Sequence, residues 1–363
     1  MKTKIYVMCP ANFATGGPEL LHQLAFELRG LEIDAKMFYV GQGGHSYHEE
    51  TSPVHDNYVS YNIPYVDSVD DSAENIIIFP ETYLRKLNDF HKIRKVIWWL
   101  SVDNSLVPLG LVNILFEQGK ISRRVLCKLV LLFSKLPILK KLYNDFPLRY
   151  LKKILTSATS YGVIHLVQST YAMQFLRRLG INNSYYLSDY LREDYLIKSK
   201  IDVSNKKSII AYNPKKGYEF TKEIIKQSKD ILRFVAIEHM TVEEVTDLLT
   251  KAKCYIDFGS HPGKDRLPRE AALMKCCVIT GRQGSAGFFE DLPIPDEYKF
   301  ENDIKVIPAI INRLKYCLEN YSDVIKDFEG YRDFIYNEPI LFRQNVKDIF
   351  TSVVLPYKQD KVK

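Results

Sequence analysis

Short apolar runs rich in β-branched and aromatic residues alternate along this chain with stretches whose apolar positions recur at helical spacing. In the first half, residues 5–10, 35–40, 75–81, 95–101 and 165–169 read as buried strands. Leu20, Leu21, Leu24, Ala25 and Leu28 mark a helix that Gly30 ends, and residues 171–176 mark another. A second half begins near Lys206, with strands expected at 208–212, 234–237, 254–258 and 277–280. Thr241 and Glu244 form a capping-box signature ahead of a helix. Glu270 to Met274 reads as the start of a further helix, with Pro268 and Glu270 where an N-terminus accepts them. A last helix is expected near residues 342–354. Strands separated by helices predict parallel, doubly wound sheets, and the two halves predict two of them.

The polar residues that carry chemistry fall in the strand-to-helix turns. Such turns build anionic-ligand sites at the carboxyl ends of strands, because helix N-terminal amides point outward there. The richest is Ser260-His261-Pro262-Gly263-Lys264-Asp265-Arg266-Leu267-Pro268-Arg269-Glu270, where two prolines and a glycine fix the backbone around a histidine and five charged side chains, Glu270 among them. Residues 213–217 form a basic turn with Lys215 and Lys216, and 281–286 form a glycine-rich loop with Gly284 and Ser285. In the first half, Gly16 and Gly17 follow the opening strand, with Pro18 suited to a first helical turn. Glu81 and Asp103 follow strands, so either is placed to act as a general base or to serve as a helix cap. His45 and His48 lack a third metal ligand in register and read as a surface loop.

The segment Pro268-Arg269-Glu270-Ala271 with Val278-Ile279, together with Gly263, resembles the donor-binding segment of GT-B glycosyltransferases, especially the retaining bacterial enzymes of polysaccharide biosynthesis. The first glutamate of that family's paired-Glu motif is absent, since Pro262 stands in its place. The resemblance is good over roughly residues 205–290 and looser before them. It implies a GT-B α/β fold: two Rossmann-like doubly wound domains facing a central cleft. The domains expected are 1–200 for the acceptor, with an insert at 120–153, and 201–335 for the nucleotide-sugar, then a helix at 336–363 crossing back. It further implies that Glu270 accepts hydrogen bonds from the ribose of a nucleotide-sugar. Donor contacts fall on Gly16, Gly17, Lys215, Lys216, His261, Gly263, Lys264, Asp265, Arg266, Arg269, Gly284 and Ser285. Lys216, Lys264 and Arg266 would offset charge on the departing diphosphate, and Asp103 would serve the acceptor. No metal and no cofactor beyond the nucleotide-sugar co-substrate is expected.

Composition adds two points. Hydrophobic residues make up 46% and charged residues 26% of 363 residues, enough for two ordinary soluble cores. The six cysteines show no metal-ligand spacing and read as buried free thiols. No signal-peptide pattern opens the chain and no apolar run is long enough to span a bilayer, which predicts a cytoplasmic protein. Charge is uneven: residues 120–153 hold ten Lys or Arg and one acid, whereas the whole chain is only +6. Aliphatics interleave these cations, so the segment reads as a basic amphipathic helix at an anionic lipid surface, or as a basic hairpin packed on the core. Nucleic acid is disfavoured, because stacking aromatics are not interleaved. The function expected is sugar transfer to a lipid-linked or growing saccharide on the inner membrane face, in capsule or lipopolysaccharide synthesis. A sugar-nucleotide epimerase and a non-catalytic membrane-bound assembly protein are the alternatives.

Overall fold

The computed structural model describes residues 3–41, 47, 51–106, 146–156, 162–192, 195–196 and 201–356. The bulk of the basic segment, through residue 145, lies outside the described residues, as do His45, His48 and Cys127. Two compact units divide the chain: residues 1–168, 172–187 and 343–363, and residues 169–171 and 188–342.

The first unit is built on seven parallel strands: β1 (Lys4–Pro10), β2 (Asp34–Val40), β3 (Tyr65–Val66), β4 (Ile76–Pro80), β5 (Arg94–Trp99), β6 (Ile164–Val167) and β7 (Ser184–Tyr186). Their order in the sheet is β3-β2-β1-β4-β5-β6-β7. The central strands are apolar without alternation because both faces are covered; Ile76, Ile77, Ile78 and Phe79 are all fully buried. Both tryptophans of β5 are buried, and each finds an acceptor for its indole N–H. Trp98 donates to the Leu187 carbonyl at 3.0 Å and Trp99 to Nδ1 of His165 at 3.1 Å. Burial lowers the His165 pKa to about 4, so the ring stays neutral and keeps a lone pair for that bond. Helix α1 (Gly16–Gly30) follows β1 and packs on the sheet through Leu20, Leu21, Leu24, Ala25 and Leu28. Residues 146–156 are helical, with Leu151 and Leu155 buried and Arg149, Lys152 and Lys153 exposed.

The second unit carries five parallel strands: β8 (Lys207–Tyr212), β9 (Phe234–Ala236), β10 (Ala252–Asp257), β11 (Cys277–Gly281) and β12 (Lys299–Phe300), in the order β12-β11-β10-β8-β9. Helices α3 (Tyr218–Gln227), α4 (Val242–Lys251), α5 (Arg266–Leu273) and α6 (Ile307–Glu319) accompany them, numbered after α2 (Thr170–Arg178) earlier in the chain. The expected capping box opens α4: Thr241 Oγ1 accepts from Glu244 N–H at 3.2 Å and Glu244 accepts from Thr241 N–H at 2.7 Å. Helix α5 begins at Arg266, earlier than the sequence suggested. Pro268 therefore sits inside its first turn, where backbone N–H groups have no intrahelical acceptor to lose. Buried Lys206 threads under β8 and donates to the carbonyls of Leu249, Ala252 and Met274, the C-terminal ends of α4 and α5.

A long helix, α7 (Glu329–Ile349), runs on into a turn at Phe350–Val354. Its start lies well before the expected 342, and Pro339 sits within it. The helix persists through that proline on its buried stripe, Tyr331, Ile335, Glu338, Phe342 and Val346. Its last part belongs to the first unit. There Arg343 Nε pairs with Glu27 at 3.1 Å, and Arg94 donates to the Val354 carbonyl at 2.7 Å.

Candidate functional site

In the second sheet the chain leaves β8 toward β9 on one side and leaves β10 toward β11 on the other. The loops that follow β8 and β10 therefore diverge at one topological switch point, where open parallel sheets bind their ligands. Those loops are the Lys215–Lys216 turn and the His261–Asp265 loop. They are interlocked at backbone level. Gly217 has φ 59°, and a Cβ on it would lie 2.3 Å from the Phe258 carbonyl oxygen. A Cβ on Gly259 would lie 2.4 Å from Lys216 Cβ. Only glycine fits at either place.

Charge at the junction is paired with care. Asp265 Oδ2 accepts from Lys216 Nζ at 2.7 Å and from His261 Nδ1 at 2.9 Å. On the other side of the imidazole, Asp257 Oδ1 lies 3.6 Å from Nε2, and that nitrogen has no hydrogen-bond partner among the described residues. Asp257 is itself fixed by Tyr255 O–H at 2.9 Å and Gly259 N–H at 3.0 Å. Burial alone would lower the His261 pKa, but the Asp265 hydrogen bond and the two carboxylate charges outweigh it, and the net shift is upward. Burial raises Asp265, yet His261 and Lys216 together bring it below the ordinary carboxylate range. One turn further on, Glu270 Oε1 accepts from Arg266 Nε at 3.0 Å and lies 2.9 Å from Nη2. Nη2 also donates to Tyr195 O–H at 2.8 Å.

Two predicted donor contacts have a different place. Lys264 was expected to meet the diphosphate, yet its side chain is 1% exposed and donates to Glu338 and to Ser188 Oγ, each at 2.7 Å. Arg269 is equally buried, with Nη2 at 2.6 Å from Asp189 and Nη1 at 3.0 Å from Glu338. Both cations point inward because α5 packs its rear face against α7 and the 188–189 segment. Sequence spacing alone does not say which face of a short helix is covered. Ser285, expected at the phosphates, uses its N–H on the His261 carbonyl at 2.8 Å and its Oγ on the Gly263 carbonyl at 2.7 Å. Gly284 has φ 63°, and a Cβ there would meet the His261 carbonyl at 2.0 Å. The 281–286 loop thus braces the His261 loop. The open cations are Lys216, 34% exposed, and Arg266, 35% exposed, with exposed Lys215 beside them. Asp257, Asp189 and Glu338 were missed from sequence. Asp257 could have been read as the acid ending a buried strand; the other two lie far away in the chain and carry no local signal.

In the first unit the sheet reverses order between β1 and β4. Gly16 and Gly17 open α1 at that point; nothing lies within 4 Å of a Cβ on Gly16, so the space beside it is open. His22, which the sequence reading passed over, supports this turn. It stacks on Tyr58 at 4.4 Å, and Tyr58 O–H donates to the Thr15 carbonyl at 2.9 Å. Glu81 is buried and accepts from the N–H groups of Leu100 and Ser101 at 2.9 and 3.1 Å, so it serves as a backbone anchor. Burial pushes its pKa up to about 7, against the lowering effect of those hydrogen bonds. Asp103 lies partly buried in the turn Val102–Leu106 beyond β5.

Two side-chain clusters have metal-ligand chemistry among the described residues: Cys254, Cys277 and Cys317 in the core, and Asp257, His261 and Asp265 in the loop. Five cysteines of the described residues are buried free thiols. No described helix is long and apolar enough to cross a membrane.

Two parallel doubly wound units, each with its loops gathered at a switch point, define the GT-B fold, and solved structures carry the same architecture. Anabaena HepE, solved in complex with UDP-glucose, aligns with a TM-score of 0.57 at 10% identity, covering 96% of this chain and 100% of that one. Sucrose-phosphate synthase from Thermosynechococcus elongatus aligns at 0.58 and 11% identity, over 97% and 99%. A glycosyltransferase from Rickettsia africae aligns at 0.57 and 14% identity, over 96% and 98%. No protein-family model matches the sequence, and no curated protein sequence matches it.

Proposed function

We propose that this protein is a glycosyltransferase that moves a sugar from a nucleotide-sugar to a saccharide or lipid-linked acceptor. The carrying observation is the junction after β8 and β10, where Lys216, Arg266 and Glu270 gather at the switch point of the second sheet. A nucleoside diphosphate needs cations beside its phosphates and a carboxylate for its ribose hydroxyls, and this junction offers both. Lys216 is the diphosphate contact, with Lys215 at its edge; Arg266 is the second cation, and Glu270 the ribose acceptor. As the glycosidic bond breaks, negative charge builds on the leaving diphosphate, and Lys216 with Arg266 offsets it. UDP is the first nucleotide to try, since HepE was solved with UDP and UDP-glucose.

The acceptor belongs to the first unit, with Asp103 as the carboxylate facing its hydroxyl. A lipid-linked acceptor in surface-polysaccharide synthesis, reached from the inner face of the cell membrane, fits the charge of residues 120–153. The transfer is of hexosyl type and uses cationic side chains rather than a divalent ion.

Thermal-shift and calorimetric titration with UDP, GDP, CMP, ADP and dTDP tests the donor reading. One nucleotide should stabilise the protein selectively, and Glu270→Ala should weaken its binding by about a hundredfold, the scale of a lost charge-assisted hydrogen-bond pair. Equal silence toward all five would refute it. Anionic-vesicle flotation of the full chain tests the membrane reading; a chain that stays with neutral and anionic vesicles alike, or with neither, has no such charge-driven contact.

A further inference from the structure

The junction contains a contradiction in charge that the donor reading leaves open. Lys216 is held at 2.7 Å by Asp265, so it must leave one anion to meet another. Asp265 is only 21% exposed at its side chain, and stranding a carboxylate there without a partner is costly. His261 answers this. Its side chain is 2% exposed, Nδ1 lies 2.9 Å from the same oxygen of Asp265, and Nε2 faces Asp257 at 3.6 Å. A protonated ring carries an N–H toward each carboxylate, which is the state that leaves neither nitrogen without an acceptor direction.

We propose that His261, as its imidazolium, is a positioning residue for the donor: it holds Asp265 when Lys216 swings from that carboxylate to the diphosphate of the nucleotide-sugar. This rests on the donor-site reading above. Arg266 differs in kind, because its partner Glu270 has a use of its own at the ribose once released. The exchange has a sign. With His261 charged, Asp265 keeps a counter-cation and Lys216 departs cheaply. With His261 neutral, Lys216 is the sole full charge on Asp265 and is held back. Removing Lys216 also removes a neighbour that lowers the His261 pKa, so the bound state grips the His261 proton more tightly. Diphosphate affinity therefore falls as pH rises through the His261 pKa, which lies above the ordinary histidine value.

The groups around His261 are few. Asp257 comes from β10, Asp265 from the start of α5 and Lys216 from the turn after β8. Lys264, Arg269, Asp291 and Tyr331 line the same pocket. Lys264 and Arg269 are committed to Glu338 and Asp189, and burial raises Tyr331 well above its usual range. Asp291 is also raised by burial, and its carboxylate oxygens accept from the N–H groups of Thr170 and Tyr171 at 2.7 and 2.9 Å. The terminal phosphate of UDP, with its second pKa near ~6, is ionised throughout that window.

The test is calorimetric titration of the full chain with UDP from about pH 7 to about pH 8.5, alongside NMR titration of the His261 ring. Wild-type affinity should fall with pH, by at most about tenfold per unit for one linked proton, and UDP should raise the His261 pKa. His261→Gln keeps a neutral donor toward Asp265, so it should bind UDP weakly and without the pH slope. Asp265→Asn removes the anion that restrains Lys216, so its affinity should be flat with pH and no weaker than alkaline wild type. A wild-type affinity that is flat while Glu270→Ala and Lys216→Met still weaken it overturns the role of His261 and leaves the donor site standing. A slope retained in Asp265→Asn overturns it too, and that variant decides the matter if His261→Gln does not fold. No UDP or other nucleotide binding at any pH removes the donor reading itself.

Discussion

The two switch points share a topology and spend their carboxylates in opposite ways. In the first unit, buried Glu81 anchors the backbone after β5 through two N–H groups, with no cation among those contacts. In the second, the acids beside the open cations are matched to them: Asp265 to Lys216 and His261, Glu270 to Arg266. Behind that open layer lies a buried one, where Arg269 and Lys264 are clamped by Asp189 and Glu338. The same fold thus offers an open, uncharged turn at Gly16–Gly17 in one half and a prearranged set of charges in the other. Chemistry on a doubly wound sheet lives in its loops, and sheet order says only where those loops meet.

The sharpest way to break the contrast is within the second unit. Arg269→Met strands two buried carboxylates with Lys264 as their remaining cation, and should cost about 3–5 kcal/mol in denaturant unfolding. Lys216→Met, at an open pair in the same loop system, should cost under about 1 kcal/mol. Equal costs would mean that the buried and open layers are not distinct.

The first unit is probed through pH. Glu81 has a folded pKa of about 7, above its unfolded value, so between those values the folded state holds the extra proton. Its contribution therefore favours folding at low pH and is lost as pH rises toward 7. The stability difference between wild type and Glu81→Gln should change by about 2 kcal/mol between pH 5 and pH 8, with wild type losing ground as pH rises. A difference constant with pH would mean that Glu81 is ionised throughout. Thr241→Ala, which removes one arm of an exposed capping box, should cost about 1 kcal/mol in the same unfolding measurement.

Much of the second unit was readable from particular residues. Thr241 and Glu244 named a helix start because a capping box is a local contact. The 277–280 run named a strand because continuous apolar, β-branched sequence suits a doubly covered sheet. Helix α5 was misplaced because Pro268 and Glu270 are compatible with several positions in a first turn, and the packing of Arg269 selects one. Helix α7 extends well before the expected 342, and its buried stripe from Tyr331 to Val346 carries it through Pro339.

Most strands, their parallel winding and the charged loops were legible in the residues alone, because periodicity, capping and turn chemistry act over a few positions. Tertiary structure decided which charges face outward. Lys216, Lys264, Arg266 and Arg269 are alike as letters, and contacts with Asp265, Asp189, Glu270 and Glu338 sort them into open and buried. Two of those partners, Asp189 and Glu338, lie some 70–80 residues from the loop they neutralise. Burial of a charge depends on such distant partners, so only the folded chain could assign it.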